Sequence, residues 1–171
     1  MLNIKVDFVI DQMAPGDWEQ VRSVYLEGLA TGHTTFETEA PPWEKWDMGH
    51  LRIARLVART GDRVLGWAAL SPISGRDAYR GVAEVSVSVA EESRGKGIGR
   101  ALLEALIEES ERNGIWTLQA AIFPENTASV KLHLRCGFRE VGRRDRIGKL
   151  NGVWRDTLLF ERRSKTVGSE A

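Results

Sequence analysis

Cysteine is nearly absent from this sequence of 171 residues, which contains only Cys136. One thiol cannot form a disulfide within the chain, and this is typical of a protein in a reducing compartment. An excess of charge of either sign is also missing, because 24 basic residues balance 24 acidic ones. We therefore expect neither the wide basic surface that binds nucleic acid nor an acidic tail for basic partners.

Long apolar runs are missing as well. None approaches the roughly 20 residues that a membrane span requires, and the first residues lack the basic-then-apolar order of a secretory signal. No spacing of His, Cys and Asp suggests a metal site, so we expect no metal and no membrane partner. The sequence predicts a soluble cytoplasmic protein with a single domain over residues 1–162, followed by a flexible polar tail over residues 163–171.

Periodicity and turn residues predict the element order β-α-α-β-β-β-α-β-α-β-β. The first strand covers residues 4–10, and Asp17 and Gln20 would begin the first helix as a capping box. A closing hairpin is predicted around the turn GKLNG. Alternating strands and helices combined with hairpins indicate an α/β fold whose sheet is mixed and partly antiparallel.

The segment SRGKGIGR, residues 93–100, lies between an expected strand and an expected helix. Its glycines would let the backbone approach a ligand, and the N–H groups at the start of a helix favour an anion. The segment lacks the Gly-Lys-Ser/Thr of a Walker loop, and the dinucleotide pattern Gly-x-Gly-x-x-Gly fails at its last glycine. A phosphate cradle of another kind remains, beside the alternative of a glycine-rich helix start with solvated basic side chains.

The pattern Arg94-x-x-Gly97-x-Gly99 resembles the signature of the GCN5-related N-acetyltransferases, Arg/Gln-x-x-Gly-x-Gly/Ala. The later segment PENTASVKLHLRCGF resembles the Asn-x-x-Ser/Ala…Gly-Phe segment of the same superfamily. The resemblance implies the acyl-CoA N-acyltransferase fold, a mixed sheet flanked by helices, with acetyl-CoA as acetyl donor. The cofactor-binding residues that it implies are Val87, Ser88, Val89, Arg94, Gly95, Lys96, Gly97, Ile98, Gly99, Arg100, Asn126 and Ser129.

A narrower resemblance is to the phosphinothricin acetyltransferase group, whose members acetylate the α-amine of phosphinothricin, methionine sulfoximine or methionine sulfone. It is carried by SPISGRDAYRGVAEVSVSV, RGKGIGRALL, NTASVKLHLRCGF and GKLNGVWRDTLLF, and by HTTFETEAP nearer the N-terminus. It implies direct attack of a small amine on the thioester, a role in detoxification, and a homodimer. The substrate-binding residues that it implies are Phe36, Arg76, Asp77 and Tyr79.

Glu84 and His133 are the candidates for the chemistry. An amine attacks a thioester only when neutral, so a carboxylate must take its proton directly or through water, and Glu84 occupies the place of the group's strand glutamate. The same glutamate would also suit the solvated face of an amphipathic strand with Ser86 and Ser88. His133 could assist proton transfer, donate to the thioester oxygen or the leaving thiolate, or act as a structural hydrogen bonder. His33 is a weaker second candidate.

The resemblance departs from the group on the amine side. Ser74 stands where close relatives carry a second basic residue, Ile73 stands where an aromatic residue often follows the proline, and the GKLNGVW turn is one residue longer. Two alternatives therefore stay open. The protein could acetylate another amine, such as an ordinary amino acid, a polyamine or a protein N-terminus, or it could be an acyl-CoA-binding sensor without catalysis.

Overall fold

A computed structural model describes residues 7–170 of the chain. Its helices are α1 (Trp18–Ala30), α2 (Trp43–Gly49), α3 (Ile98–Arg112) and α4 (Thr127–Arg135). Its strands are β1 (Val9–Gln12), β2 (Leu56–Thr60), β3 (Arg63–Pro72), β4 (Val82–Val89), β5 (Thr117–Ile122), β6 (Arg139–Leu150) and β7 (Val153–Arg163). The predicted order of elements is confirmed.

The ends of three elements differ from the prediction. The first strand begins at Val9, and residues 4–6 lie outside the described residues. The closing turn is shorter than GKLNG, because β6 continues to Leu150 and only Asn151 and Gly152 connect it to β7. These two residues have φ angles of +49° and +80°, the left-handed pair that a two-residue hairpin requires.

The predicted capping box at the start of α1 is wrong. The Asp17 carboxylate accepts hydrogen bonds from the Ala14 N–H and from Arg59, each at 2.8 Å. The Gln20 amide instead bridges the β2–β3 turn, donating to the Asp62 carbonyl and accepting from the Val64 N–H, both at 2.9 Å. Asp17 thus bonds back to Ala14 and across to a distant arginine, and Gln20 bonds a distant turn, so neither closes a capping box on α1.

The described residues form a sheet of seven strands in the order β1-β2-β3-β4-β5-β7-β6, and the predicted mixed, partly antiparallel sheet is confirmed. The strands β4 and β5 are parallel, and every other neighbouring pair is antiparallel. The parallel pairing is short, since only residues 82–84 of β4 pair with residues 117–119 of β5. Beyond Glu84 the two strands separate, which leaves an opening in the middle of the sheet.

Helices cover both faces of the sheet. On one face, Ile98, Leu102 and Leu106 of α3 pack with Val85 and other sheet residues, and all three are at most 1% exposed. On the other face, Val21 of α1 packs with Trp46 of α2 and Trp67 of β3. The separation between β4 and β5 therefore lies between two packed layers.

Two further findings concern what the described residues lack. Over residues 7–170, no helix is long and apolar enough to cross a membrane. Within the same range, no cluster of three or more His, Cys, Asp or Glu side chains could hold a metal ion. After β7, the Ser164 N–H donates to the Trp116 carbonyl at 2.8 Å. The domain boundary at residue 162 stays a prediction.

Candidate active site

A cavity of about 670 Å³ occupies the opening between β4 and β5. It passes through the sheet, because Tyr25 of α1 lines it from one face and His133 of α4 lines it from the other. Side chains from both faces of the sheet thus border one cavity. The predicted site residues that line it are Phe36, Glu84, Val87, Ser88, Val89, Arg94, Gly95, Gly97, Ile98, Gly99, Asn126, Ser129 and His133.

The separated part of β4 directs backbone groups into this cavity. The Ala90 N–H donates to the Leu65 carbonyl of β3 at 2.8 Å. Backbone groups alternate in direction along an antiparallel pair, so those of Val87 and Val89 point away from β3, toward the cavity. The Val89 carbonyl accepts a hydrogen bond from Arg94 Nε at 3.2 Å. The Val87 N–H is therefore a donor directed into the opening.

The glycine loop between β4 and α3 is open on its cavity side. Gly95 and Gly97 have φ angles of +73° and +83°, and a Cβ on either would meet no heavy atom within 4 Å. Gly97 is the residue immediately before α3, so the first N–H groups of the helix have no partner within it. The loop and helix start have the shape and polarity of an anion cradle.

Two predicted cofactor residues of this loop do not line the cavity. Lys96 Nζ donates to the Glu92 carbonyl at 2.7 Å, and Arg100 Nε donates to Glu104 at 2.7 Å. Both side chains are held by neighbours along the chain. A role of Lys96 and Arg100 in binding stays a prediction.

Glu84 of β4 lines the cavity, and its side chain is half-buried. Burial raises the pKa of Glu84 above its ordinary value, and the positive charge of Arg144 on β6 offsets part of this rise. A carboxylate with a raised pKa is a stronger base than an exposed one. Arg144 was not singled out by the sequence, because a strand of the closing hairpin gives no sign that it returns toward β4.

His133 of α4 lines the cavity as a buried side chain. It is 4% exposed, and its Nδ1 donates to the Ser129 carbonyl at 2.8 Å. Its Nε2 is buried and has no hydrogen-bond partner within residues 7–170. Burial lowers the pKa of His133, so the ring is neutral near pH 7, with its hydrogen on Nδ1 and an acceptor at Nε2.

Asn126 has two roles at the start of α4. Its Oδ1 accepts from the Ser129 N–H at 3.2 Å as an N-cap, and its Nδ2 donates to the His33 carbonyl at 3.2 Å. Because α4 carries both Ser129 and His133, this cap fixes the helix end that borders the cavity.

The face covered by α1 carries an aromatic wall. Phe36 meets Phe123 edge-on at 4.9 Å between ring centroids. Tyr25 stacks on Trp67 at 6.0 Å, and burial, with a smaller effect of the Glu37 charge, raises the pKa of Tyr25. Sequence reasoning missed Tyr25 and Trp67 as cavity residues, because an apolar helix stripe and an apolar strand predict core equally well.

The loop before β4 does not reach the cavity. Arg76, Asp77 and Tyr79 lie in an exposed turn in which Asp77 pairs with Arg80. None of the three lines the cavity that Glu84 borders. Their role in binding the substrate stays a prediction.

Known proteins resemble this chain in sequence and in fold. The model of the Acetyltransferase (GNAT) family matches residues 18–138. The chain belongs to this family. A phosphinothricin N-acetyltransferase from Alcaligenes faecalis is 35% identical over 156 residues, covering 85% of this chain and 77% of the relative.

Two further relatives are acetyltransferases of methionine sulfoximine and of phosphinothricin. An L-methionine sulfoximine/L-methionine sulfone acetyltransferase from Pseudomonas aeruginosa is 41% identical over 98 residues, which are 57% of either chain. The crystal structure of a GNAT phosphinothricin acetyltransferase from Sinorhizobium meliloti in complex with acetyl-CoA superposes with a TM-score of 0.85. Its identity is 26%, over 96% of this chain and 92% of that one. The protein is therefore an acetyl-CoA-dependent N-acetyltransferase of the phosphinothricin and methionine sulfoximine group.

The residues of this GNAT cavity fit acetyl-CoA. The open side of Gly95 and Gly97 leaves room for a diphosphate against bare backbone. His133 lines the same cavity, and its Nε2 has no hydrogen-bond partner among the described residues, a state that is costly for a buried polar atom. Polar groups without protein partners thus occur where the donor would bind.

Proposed function

We propose that the protein transfers an acetyl group from acetyl-CoA to the α-amine of a small amino acid such as phosphinothricin, methionine sulfoximine or methionine sulfone. The observation that carries this proposal is a single cavity that joins the Glu84 carboxylate to the open glycine loop. Glu84 suits the amine, and the glycine loop suits the nucleotide part of a thioester. The two substrates would meet in the opening between β4 and β5.

Glu84 is the general base of the proposed reaction. As the amine nitrogen forms its bond to the thioester carbon, the carbonyl π electrons move to oxygen, and a proton passes from nitrogen to the Glu84 carboxylate. The C–S bond then breaks, the carbonyl re-forms, and the thiolate leaves. Proton exchange with water returns Glu84 to its ionised form and CoA to its thiol.

The Val87 N–H donates to the oxygen on which negative charge develops. A backbone donor fixed in a water-poor cavity stabilises such a charge without reorganisation. His133 acts as an acceptor at Nε2, because its neutral ring carries its hydrogen toward Ser129. Donation to the leaving thiolate would need an imidazolium, which burial disfavours.

The oligomeric state and the location in the cell are also part of the proposal. We infer a cytoplasmic homodimer that inactivates a toxic amino acid, from the resemblance to the phosphinothricin acetyltransferase group. Size-exclusion chromatography with light scattering measures the mass directly. A mass of one chain at micromolar concentration would overturn the dimer.

Release of free thiol from acetyl-CoA tests the function. The amine panel contains phosphinothricin, methionine sulfoximine and methionine sulfone, together with ordinary amino acids, a polyamine and a peptide with a free N-terminus. Turnover of the first three supports the proposal, while turnover of another amine alone assigns a different acceptor. No thiol release with any amine, with acetyl-CoA still bound in a calorimeter, would favour the non-catalytic sensor.

A further inference from the structure

Residues 31–36, here called the strap, leave the end of α1 and border the cavity that Glu84 lines. Thr31, His33, Thr34, Thr35 and Phe36 all contribute to its wall. At its beginning the strap is bonded to α1, where Thr31 Oγ1 donates to the Gly28 carbonyl at 2.7 Å. Other elements contact the residues that follow.

Arg155 of β7 makes two polar contacts to the strap. Arg155 Nη1 donates to the Gly32 carbonyl at 3.0 Å, and Nη2 lies 3.3 Å from His33 Nδ1. The same Nη2 lies 3.2 Å from a carboxylate oxygen of Glu125. One planar guanidinium thus joins the strap to the loop between β5 and α4.

The surroundings of Arg155 fix its geometry. Its guanidinium carbon lies 4.2 Å from the centroid of the Phe123 ring, and its side chain is 13% exposed. A buried, stacked guanidinium with several acceptors is more ordered than a solvated surface arginine. The contact is therefore built into the site and is not an incidental surface ion pair.

Two other contacts connect the strap to the same region of the protein. Asn126 Nδ2 donates to the His33 carbonyl, and Phe36 packs on Phe123. A Cβ at Gly148 of β6 would lie 2.9 Å from the Phe36 ring, so the strap sits tightly against the closing hairpin. Arg155 lies at the centre of this set of contacts.

We infer that Arg155 is a positioning residue that holds the strap as the outer wall of the amine subsite. The inference rests on the proposed function, in that it assigns the α1 side of the cavity to the amine. Because a guanidinium only donates, His33 Nδ1 is the acceptor in its contact with Arg155.

The test compares Arg155→Gln and Arg155→Lys with a matched control, Arg162→Gln. Arg162 also bonds a glutamate, Glu111 at 2.9 Å, and its side chain is 23% exposed, but neither residue lines the cavity. Loss of the guanidinium from the strap should raise KM for the amine about tenfold and leave KM for acetyl-CoA within about twofold. Lysine, which cannot bond the strap and Glu125 in the same planar arrangement, should give an intermediate KM.

Hydrogen–deuterium exchange over residues 31–36 gives a second readout that does not depend on turnover. We expect faster exchange in Arg155→Gln and no change in Arg162→Gln. An unchanged amine KM in Arg155→Gln, or a parallel change of both KM values as in a general loss of stability, would overturn the inference. If the wild type acetylates no amine, the proposed function fails, and exchange alone decides whether Arg155 holds the strap.

Discussion

Replacing Glu84 by glutamine removes the proposed base while keeping the length and polarity of the side chain. The carboxylate is the only ionisable side chain of β4, and its raised pKa shows that burial already disfavours the charge. Glutamine should therefore fit the same space without a new cavity. The change isolates proton transfer from packing.

The expected loss follows from how much neutral amine is available. A general base contributes about 10²–10⁴ in rate. The α-amine of a free amino acid is more basic than a peptide N-terminus, whose pKa is roughly 8, so only a small fraction of it is neutral at pH 7, and that fraction grows with pH. We therefore expect kcat/KM of Glu84→Gln to fall about 10²-fold at pH 7 and by a smaller factor, about tenfold, at pH 9.

The assay is thiol release over a range of pH, with Glu161→Gln as a control. Glu161 lies level with Glu84 in the sheet, through Gln119, and pairs with Arg139 outside the cavity. The wild type should lose activity in acid when Glu84 becomes protonated, at a pH above the usual glutamate range because burial raises the pKa of Glu84. Glu84→Gln should lack this limb, and Glu161→Gln should keep it.

Stability should change in the opposite direction to activity. Burial raises the pKa of Glu84 in the folded state above its unfolded-state value. Its contribution to the free energy of unfolding is therefore fully present below the unfolded-state pKa and is lost as the pH rises through the folded-state pKa. Glu84→Gln escapes this loss, so urea unfolding at pH 7 should show it to be at least as stable as the wild type. An unchanged kcat/KM and pH profile in a folded Glu84→Gln would refute Glu84 as the base.

Two further predictions concern the cofactor side. Gly97→Ala should raise Kd for acetyl-CoA about tenfold by calorimetry, because its methyl group occupies the cradle. At a φ of +83° the alanine also strains the fold by roughly 1–2 kcal/mol. Gly114→Ala, with a φ of +79° at the far end of α3, should share this strain and bind acetyl-CoA normally. Equal affinities of both variants would contradict the cradle. By ¹⁵N NMR, His133 should show a neutral ring with Nδ1 protonated at pH 7 and should titrate below the ordinary histidine range, because burial lowers the pKa of His133. Titration at or above that range would contradict this.

The sequence alone determined the order of elements and the position of the glycine loop. Period-two and period-3.6 patterns are local properties of the chain, so β4 and α3 could be placed from their own residues. The left-handed Gly97 could be inferred in the same way, because only glycine adopts that conformation freely. The family resemblance added the expectation that Glu84 and His133 act on a thioester bound at this loop.

Local rules failed where a distant partner offered a better bond. Asp17 and Gln20 have the spacing of a capping box, yet Arg59 and the β2–β3 turn take up their side chains. Hydrogen bonds to tertiary partners compete with local ones of similar energy. Sequence spacing cannot rank the two.

Tertiary structure alone decided what the cavity contains. The separation of β4 from β5 opens the sheet, α1 brings Tyr25 over it, and β7 supplies Arg155 from 123 positions beyond its partner Gly32. It also left Arg76, Asp77 and Tyr79 outside the cavity. These relations depend on how far strands twist apart and how a hairpin curves, which are sums over many contacts. No single residue pattern encodes them, whereas the glycine loop is a property of a few consecutive residues.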